Sequence, residues 1–376
     1  MPTLPPLTAP ELARYQRQIT LPQLGPTGQA KLKAGRVLVV GAGGLGCPVL
    51  LYLGAAGVGT LGVVEGDQVE LSNLPRQVLY TAADLGRPKA EVAAERVRAT
   101  NPHVQVQVHG EFLTRHNALA ILADYDLVLD CSDNFPVRYL VNDACVLLGK
   151  PLVYGALHQF EGQVGVFNAR PGSPTYRCLF PEPPAPGEVP NCAEAGIMGL
   201  VAGVVGLYQA NEAIKWLAGL PGLLDGQLLV TDLLTYTTRV LRIRLRTDKS
   251  AITQLIDYEV FCGQKSPNSM KKLTAPELAQ ALQQAGDEWF VLDVREPWEY
   301  DICHLAPARL IPMGQVPDQL AQVPLDKKVA VYCHHGVRSA AIIQWLAQQT
   351  GHPELYNLTG GIHAWASEVE PGMAVY

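Results

Sequence analysis

Short apolar runs alternate with longer amphipathic stretches along this chain, and the alternation predicts an α/β fold. Residues 36–40, 61–65, 104–109, 127–130 and 152–156 read as strands. The segments 44–57, 87–100, 115–123 and 135–148 between them read as helices. Strands that alternate with helices build a mostly parallel sheet covered by those helices. Runs at 162–167, 227–231 and 239–245 add further strands, so the sheet becomes mixed. A second, smaller α/β pattern follows, with strands near 289–293, 308–311, 329–332 and 354–356.

The punctuation between these patterns sets the domains. Thr8-Ala-Pro-Glu11 and Thr274-Ala-Pro-Glu277 both fit a capping box and mark two helix starts. Proline-rich residues 170–191 read as a long irregular loop, a kind that is usually functional or mobile in compact domains. The polar stretch from Gly263 to Lys272 reads as an interdomain linker. We therefore expect a first domain over 10–263, a linker over 264–271 and a second domain over 272–376.

Composition narrows the class. Hydrophobic residues are 48% and charged residues 17% of 376, which suits buried cores rather than disorder. A net charge of −6 gives no general reason to bind nucleic acid or an anionic membrane. The apolar stretch 196–220 contains Gln209, Asn211, Glu212 and Lys215, so it reads as a buried helix rather than a membrane span. The N-terminus has neither the basic nor the apolar region of a signal peptide. Eight scattered cysteines form no disulfide framework, and a reducing cytoplasm is expected.

Two local patterns carry chemistry. The first is Gly41-Ala-Gly43-Gly44-Leu-Gly46, which follows the apolar run ending at Val40. In a strand-turn-helix, such glycines permit a tight turn, close approach of a phosphate and close packing of helix on strand. Glu65 ends the next strand, where it can reach ribose hydroxyls. Taken alone, this favours NAD or FAD over ATP. Arg14 and Arg17 before the turn, and Asn73, Arg76, Gln77 and Lys89 after it, favour a triphosphate, whose charge needs cations during attack. Asp130 and Asp133 end a later strand, where a carboxylate suits Mg²⁺ shared with phosphates.

The second pattern is Cys333-His-His-Gly-Val-Arg338-Ser339 after the run 329–332. A cysteine between a buried strand and a helix sits where backbone N–H groups and the helix dipole stabilise a thiolate or persulfide. Arg338 adds a positive charge. The Cys-x4-Arg spacing resembles the rhodanese loop and is one residue shorter than loops that surround a tetrahedral oxyanion. Asp293-Val-Arg295-Glu296-Pro297-Trp298-Glu299-Tyr300 and Gly360-Gly361-Ile362 are also rhodanese-like. There Asp293 and Arg295 are expected to support the loop.

Five motifs in order resemble the MoeB/ThiF branch of the E1-like activating enzymes. They are Arg14-Tyr-Gln-Arg17, the turn Gly41–Gly46, Leu71-Ser-Asn73-Leu-Pro-Arg76-Gln77, Asp130-Cys-Ser-Asp133-Asn134 and Asn191-Cys192-Ala-Glu194-Ala-Gly196. With the tail domain, the chain resembles a MoeB-like adenylyltransferase fused to a rhodanese. The resemblance implies a Rossmann-like domain with a mixed sheet, then a smaller α/β rhodanese domain. It implies that ATP adenylates the C-terminal glycine of a MoaD/ThiS-like sulfur carrier protein, and that sulfur from Cys333 then gives the thiocarboxylate. The donor would be thiosulfate or a cysteine desulfurase.

In this scheme Gly41, Gly43, Gly44 and Gly46 line the phosphates and Glu65 holds the ribose, although the family usually has Asp there. Asn73, Arg76 and Lys89 contact phosphates, Gln77 belongs to the same nucleotide site, Asp133 holds Mg²⁺, and Arg14 reaches across a homodimer as a finger. Cys192 takes the carrier as a thioester or resolves an acyl-persulfide link. Relatives often hold structural zinc on two Cys-x-x-Cys pairs. Here those segments keep only Cys178 and Cys262, so no structural zinc is expected. The rival readings are an E1 that conjugates a ubiquitin-like protein, a NAD-dependent oxidoreductase and a catalytically silent scaffold.

Overall fold

The computed structural model describes residues 4–184, 196–246, 252–263 and 270–376. The chain divides into two compact units, Met1–Pro183 with Pro190–Tyr258, and Pro184–Val189 with Glu259–Tyr376.

The first unit is built on eight strands: β1 (Arg36–Val40), β2 (Thr60–Val64), β3 (Gln105–His109), β4 (Leu127–Asp130), β5 (Leu152–His158), β6 (Glu161–Phe167), β7 (Gln227–Asp232) and β8 (Thr237–Arg242). They are ordered β3-β2-β1-β4-β5-β6-β7-β8. The first five are parallel, and β6, β7 and β8 add antiparallel. The mixed sheet expected from the sequence is present. β1 from Val37 onward and β4 up to Asp130 are apolar because helices cover both faces of a parallel sheet. Chain order reverses between β1 and β4, which opens a crevice at their C-terminal ends.

The apolar stretch near residue 200 forms the helix Gly199–Ala218. Two of its polar side chains, Gln209 and Glu212, are buried and satisfied, while Asn211 is exposed. Gln209 is buried and donates to the Asp130 carbonyl at 2.7 Å, and Glu212 accepts from the Leu224 N–H at 2.8 Å. Gly206 lets this helix cross closely over the helix Gly46–Ala56, since a Cβ would lie 2.5 Å from Pro48 Cγ. No helix among the described residues is long and apolar enough to cross a membrane.

The second unit carries five parallel strands: β9 (Lys271–Leu273), β10 (Trp289–Asp293), β11 (Ala308–Leu310), β12 (Lys328–Tyr332) and β13 (Leu355–Leu358), ordered β11-β10-β12-β13-β9. Alternate residues of β12 feed opposite cores, as a period of two requires. Val329 and Val331 pack with Ile342, Ile343 and Leu346, while Ala330 and Tyr332 pack with Leu278, Ile362 and Trp365. The sequence reading missed β9, which is short and largely polar and, among the described residues, pairs with β13 at the sheet edge. Its first residue, Lys271, falls at the end of the stretch expected to be linker; residues 264–269 lie outside the described set. Both capping boxes are formed, at the helices Ala9–Arg14 and Ala275–Ala285.

Candidate functional site

At the end of β1 the chain turns at Gly41, whose φ of 94° suits glycine. Its N–H donates to the Val64 carbonyl at 2.9 Å and keeps the turn in register with β2. A Cβ at Gly41 would lie 2.8 Å from the Cys131 carbonyl oxygen, and one at Gly46 only 2.0 Å from the Gly41 carbonyl oxygen. Gly43 and Gly44 leave the turn bare where Gln77 and Ala202 approach. The helix Gly46–Ala56 starts here, so its positive end and a backbone free of side chains face the crevice. Gly46→Ala is expected to force the turn open, at a cost of about 1–3 kcal/mol. Thermal unfolding with and without ATP would show both lower stability and loss of the nucleotide-induced shift.

Glu65 lies just past β2. Its Oε2 accepts the Ala42 N–H at 3.0 Å and its Oε1 accepts the Asp67 N–H at 2.9 Å. These bonds fix the carboxylate against the turn and leave lone pairs for ribose hydroxyls. Asn73 and Gln77 are buried; the Gln77 Oε1 has no hydrogen-bond partner, an open polar position beside Gly43 that a nucleotide would fill. Arg76 donates to the Ser72 carbonyl at 2.9 Å. Lys89 is buried, and its ammonium pairs with Asp67 at 3.3 Å, a partner that phosphates would replace.

The two aspartates after β4 separate. Asp130 is fully buried; burial raises its carboxyl pKa, opposed by Arg138 at 3.5 Å, and the Ser132 hydroxyl donates to it. Asp133 is exposed and pairs with no cation among the described residues. An open carboxylate beside a phosphate-type turn fits Mg²⁺, which takes one or two carboxylates plus phosphate oxygens and water.

Arg14 is not brought to this group within one chain. Its guanidinium donates to the Thr100 carbonyl, at the opposite end of the helix Lys89–Thr100 from Lys89. At 1.5 Å per residue that separates them by roughly 16 Å. Arg17 is exposed. Cys192 and Glu194 lie outside the described residues. Cys47, Cys131 and Cys145 are buried, and burial pushes the Cys47 thiol up to about 12, which marks core positions rather than nucleophiles. Cys178 Sγ accepts the Thr175 N–H at 3.2 Å and caps a short turn; Cys262 is buried.

In the second unit Cys333 follows β12 and is 2% exposed. Its Sγ accepts the Gly336 N–H at 3.1 Å and lies 3.5 Å from the Ser339 hydroxyl oxygen. Gly336, at φ 95°, turns the loop into the helix Val337–Thr350. Asn357 on β13 locks the loop, accepting from Ser339 at 2.6 Å and donating to the Gly336 carbonyl at 2.9 Å. The Gly336 N–H, beside the start of that helix, suits an anionic sulfur.

Arg338 differs from the sequence reading. Its two terminal nitrogens bind Glu299 at 2.6 and 2.7 Å, so its charge is compensated rather than free for the sulfur. Burial would raise the Glu299 carboxyl. The Arg338 guanidinium, the Glu296 N–H and the Tyr376 hydroxyl outweigh burial and hold it at about 2. Tyr376 in turn accepts from Arg295, which is 0% exposed and clamps Asp293 through Nε and Nη2. Asp293, Arg295, Tyr376, Glu299 and Arg338 thus form one network behind the loop. The sequence reading assigned no role to Glu299 or Tyr376; the local cap of Glu299 on the Glu296 N–H says nothing of its pairing with Arg338, 39 residues away, and Tyr376 meets Arg295 across 81 residues.

The Glu299 carboxyl is lower folded than unfolded, so its contribution is complete above the unfolded value of about 4.3 and fades as pH falls toward 2. Glu299→Gln is expected to cost about 1–3 kcal/mol at pH 7, less than a fully enclosed pair because Arg338 still meets water. Denaturant titration at pH 7 and at pH 3 checks this: the gap between variant and parent should shrink in acid.

Residues 15–252 match the ThiF family, and residues 274–368 match the rhodanese-like domain. The chain belongs to the ThiF family. Its ThiF portion contains the glycine turn and the crevice, and its rhodanese-like portion contains the Cys333 loop. The probable adenylyltransferase/sulfurtransferase MoeZ of Mycobacterium tuberculosis is 44% identical over 391 residues, covering 100% of this chain and 99% of that protein. The sulfur carrier protein adenylyltransferase of Thermus thermophilus is 57% identical over 267 residues, covering 68% of this chain and 98% of its own length. Among solved structures, E. coli MccB aligns with a TM-score of 0.58 at 21% identity, over 65% of this chain and 73% of that one, a likeness of fold. This ThiF-family chain is an adenylyltransferase joined to a sulfurtransferase. The conjugating E1 reading is not favoured by these relatives.

Proposed function

We propose that the two activities act in sequence on a small ubiquitin-like sulfur carrier. The observation that supports this best is the coexistence of a glycine-lined crevice and a sulfur-stabilising loop in one chain whose close relative is a sulfur carrier protein adenylyltransferase. ATP would lie on Gly41, Gly43, Gly44 and Gly46, with Glu65 on the ribose and Asn73, Arg76, Gln77 and Lys89 on the phosphates. Mg²⁺ held by Asp133 would offset phosphate charge. The carrier's terminal carboxylate attacks the α-phosphate, a P–O bond forms, and pyrophosphate leaves with the bonding electrons. The acyl-adenylate turns a poor electrophile into one with AMP as leaving group.

The terminal sulfur of a Cys333 persulfide, loaded from thiosulfate or a desulfurase, then attacks the acyl carbon and AMP leaves. A thiol attacks Cys333 Sγ in the acyl disulfide and frees carrier thiocarboxylate. Cys192 is our choice for that thiol, and the resulting disulfide needs an external thiol to reset it. Carrier-dependent exchange of pyrophosphate into ATP tests the first half; its absence with a glycine-ended carrier would remove the proposal.

Arg14 fits a role in a second subunit of a homodimer, since in its own chain it lies at the far end of the Lys89 helix. Mixing Arg14→Ala with Asp133→Asn chains should restore exchange, because one site in each mixed dimer is then intact. No recovery in mixed dimers would place Arg14 in its own chain's chemistry or outside it.

A further inference from the structure

We infer that His334, His335 and His363 form a binding site for a divalent transition-metal ion of the Zn²⁺ class beside the sulfur loop. Each imidazole offers a nitrogen, and the three nitrogens lie within 4.8 Å of one another. Among the described residues this is the one group of three or more potential metal ligands so arranged.

The backbone builds the convergence. Gly361 has φ 59° and so little room that a Cβ would lie 2.3 Å from both the Cys333 and His334 carbonyl oxygens. Ile362 donates its N–H to the Cys333 carbonyl at 2.9 Å, and His363 donates to the His334 carbonyl at 3.2 Å. The first turn of the helix Gly361–Glu368 is thereby bolted to the loop, with His363 beside His334 and His335. The ring centroids of His334 and His335 are 4.2 Å apart, and those of His335 and His363 are 5.2 Å apart.

A tetrahedral ion with metal–nitrogen bonds of about 2.0–2.1 Å needs its nitrogens a little over 3 Å apart. Binding would close that gap by rotation about the imidazole side-chain bonds. Three imidazoles and no carboxylate suit Zn²⁺, Co²⁺ or Cu²⁺ rather than Mg²⁺ or Ca²⁺. Three protein ligands leave one position open, which takes water or an anionic sulfur. His334 directly follows Cys333, so a bound ion can engage a persulfide and hold it back from transfer. This second part rests on Cys333 as the sulfur carrier; the binding itself does not.

The test uses the full-length, metal-free protein titrated with Co²⁺ and followed by its visible ligand-field bands, then with Zn²⁺ in competition. One ion per chain is expected. Affinity should be retained in Cys333→Ser, which removes the thiol, and fall by about tenfold or more in His335→Gln and in His363→Gln. No binding, or equal affinity in parent and both histidine variants, overturns the site. Zn²⁺ should also slow sulfur transfer from thiosulfate in the parent and not in His363→Gln. Full turnover by the zinc-saturated parent overturns the sulfur-ligand part and leaves the site standing.

Discussion

Cys333→Ala is expected to abolish sulfur transfer and to leave ATP–pyrophosphate exchange within about twofold of the parent. The reason is the division of the chain. Cys333, Gly336, Ser339 and Asn357 all belong to the second unit, and the glycine turn, Glu65, Gln77, Lys89 and Asp133 all belong to the first. The thiol is the proposed nucleophile, and its described partners do not replace it: Ser339 and Asn357 offer oxygens that cannot carry a sulfane sulfur. Exchange needs only nucleotide, cation and carrier carboxylate. Thiosulfate turnover with a small thiophilic acceptor, measured beside exchange on the same preparation, reads both. Loss of both would show that the two chemistries do not divide as the folds do.

Asp133→Asn is expected to do the reverse. It should lower exchange by about a hundredfold or more and spare thiosulfate turnover. The position is exposed, so the change should not disturb the fold, in contrast to the neighbouring Asp130. Asp130 is fully buried, its Ser132 and Arg138 contacts tie the strand end to the helix Phe135–Leu148, and its replacement should destabilise the unit. A variant that lost exchange together with thermal stability at Asp133 would mean that this carboxylate also supports the fold. Exchange rate and unfolding temperature, taken on the same sample, separate the two.

What the sequence disclosed follows from how local each cause is. The Gly41–Gly46 turn, the helix from Phe135 and both capping boxes depend on neighbours a few residues away, and they were readable. The order of the strands was not readable, but the alternation of strand and helix implied a parallel sheet, and the switch to antiparallel pairing came with the later runs. The Cys333 loop was readable because a strand, a glycine and a helix start lie within a few residues of the thiol.

Arg338 was seen but its state was not. A single sequence gives no reason for a guanidinium to find Glu299 rather than the sulfur, since that pairing is made by the packing of two elements. The same holds for the buried Arg295 and for Tyr376, which reaches back across the unit. Asn357 lies on a strand whose neighbour is set only by sheet order, so its lock on Ser339 had no local mark. His334 and His335 stand in the Cys333 motif, where they read equally as groups that tune the persulfide or as exposed loop residues; His363 joins them only because Gly361 brings its helix against the loop.

Under the proposed function, one chain both activates a carrier's carboxylate and exchanges its oxygen for sulfur. The direct measurement is the intact mass of a glycine-ended ubiquitin-like carrier after incubation with this protein, Mg·ATP, thiosulfate and a reducing thiol. Replacement of one carboxylate oxygen by sulfur, dependent on ATP and absent with Cys333→Ala, is the predicted result. An unchanged carrier mass, with pyrophosphate released and Cys333 loaded with sulfur, would contradict it: both activities would be present, and not joined.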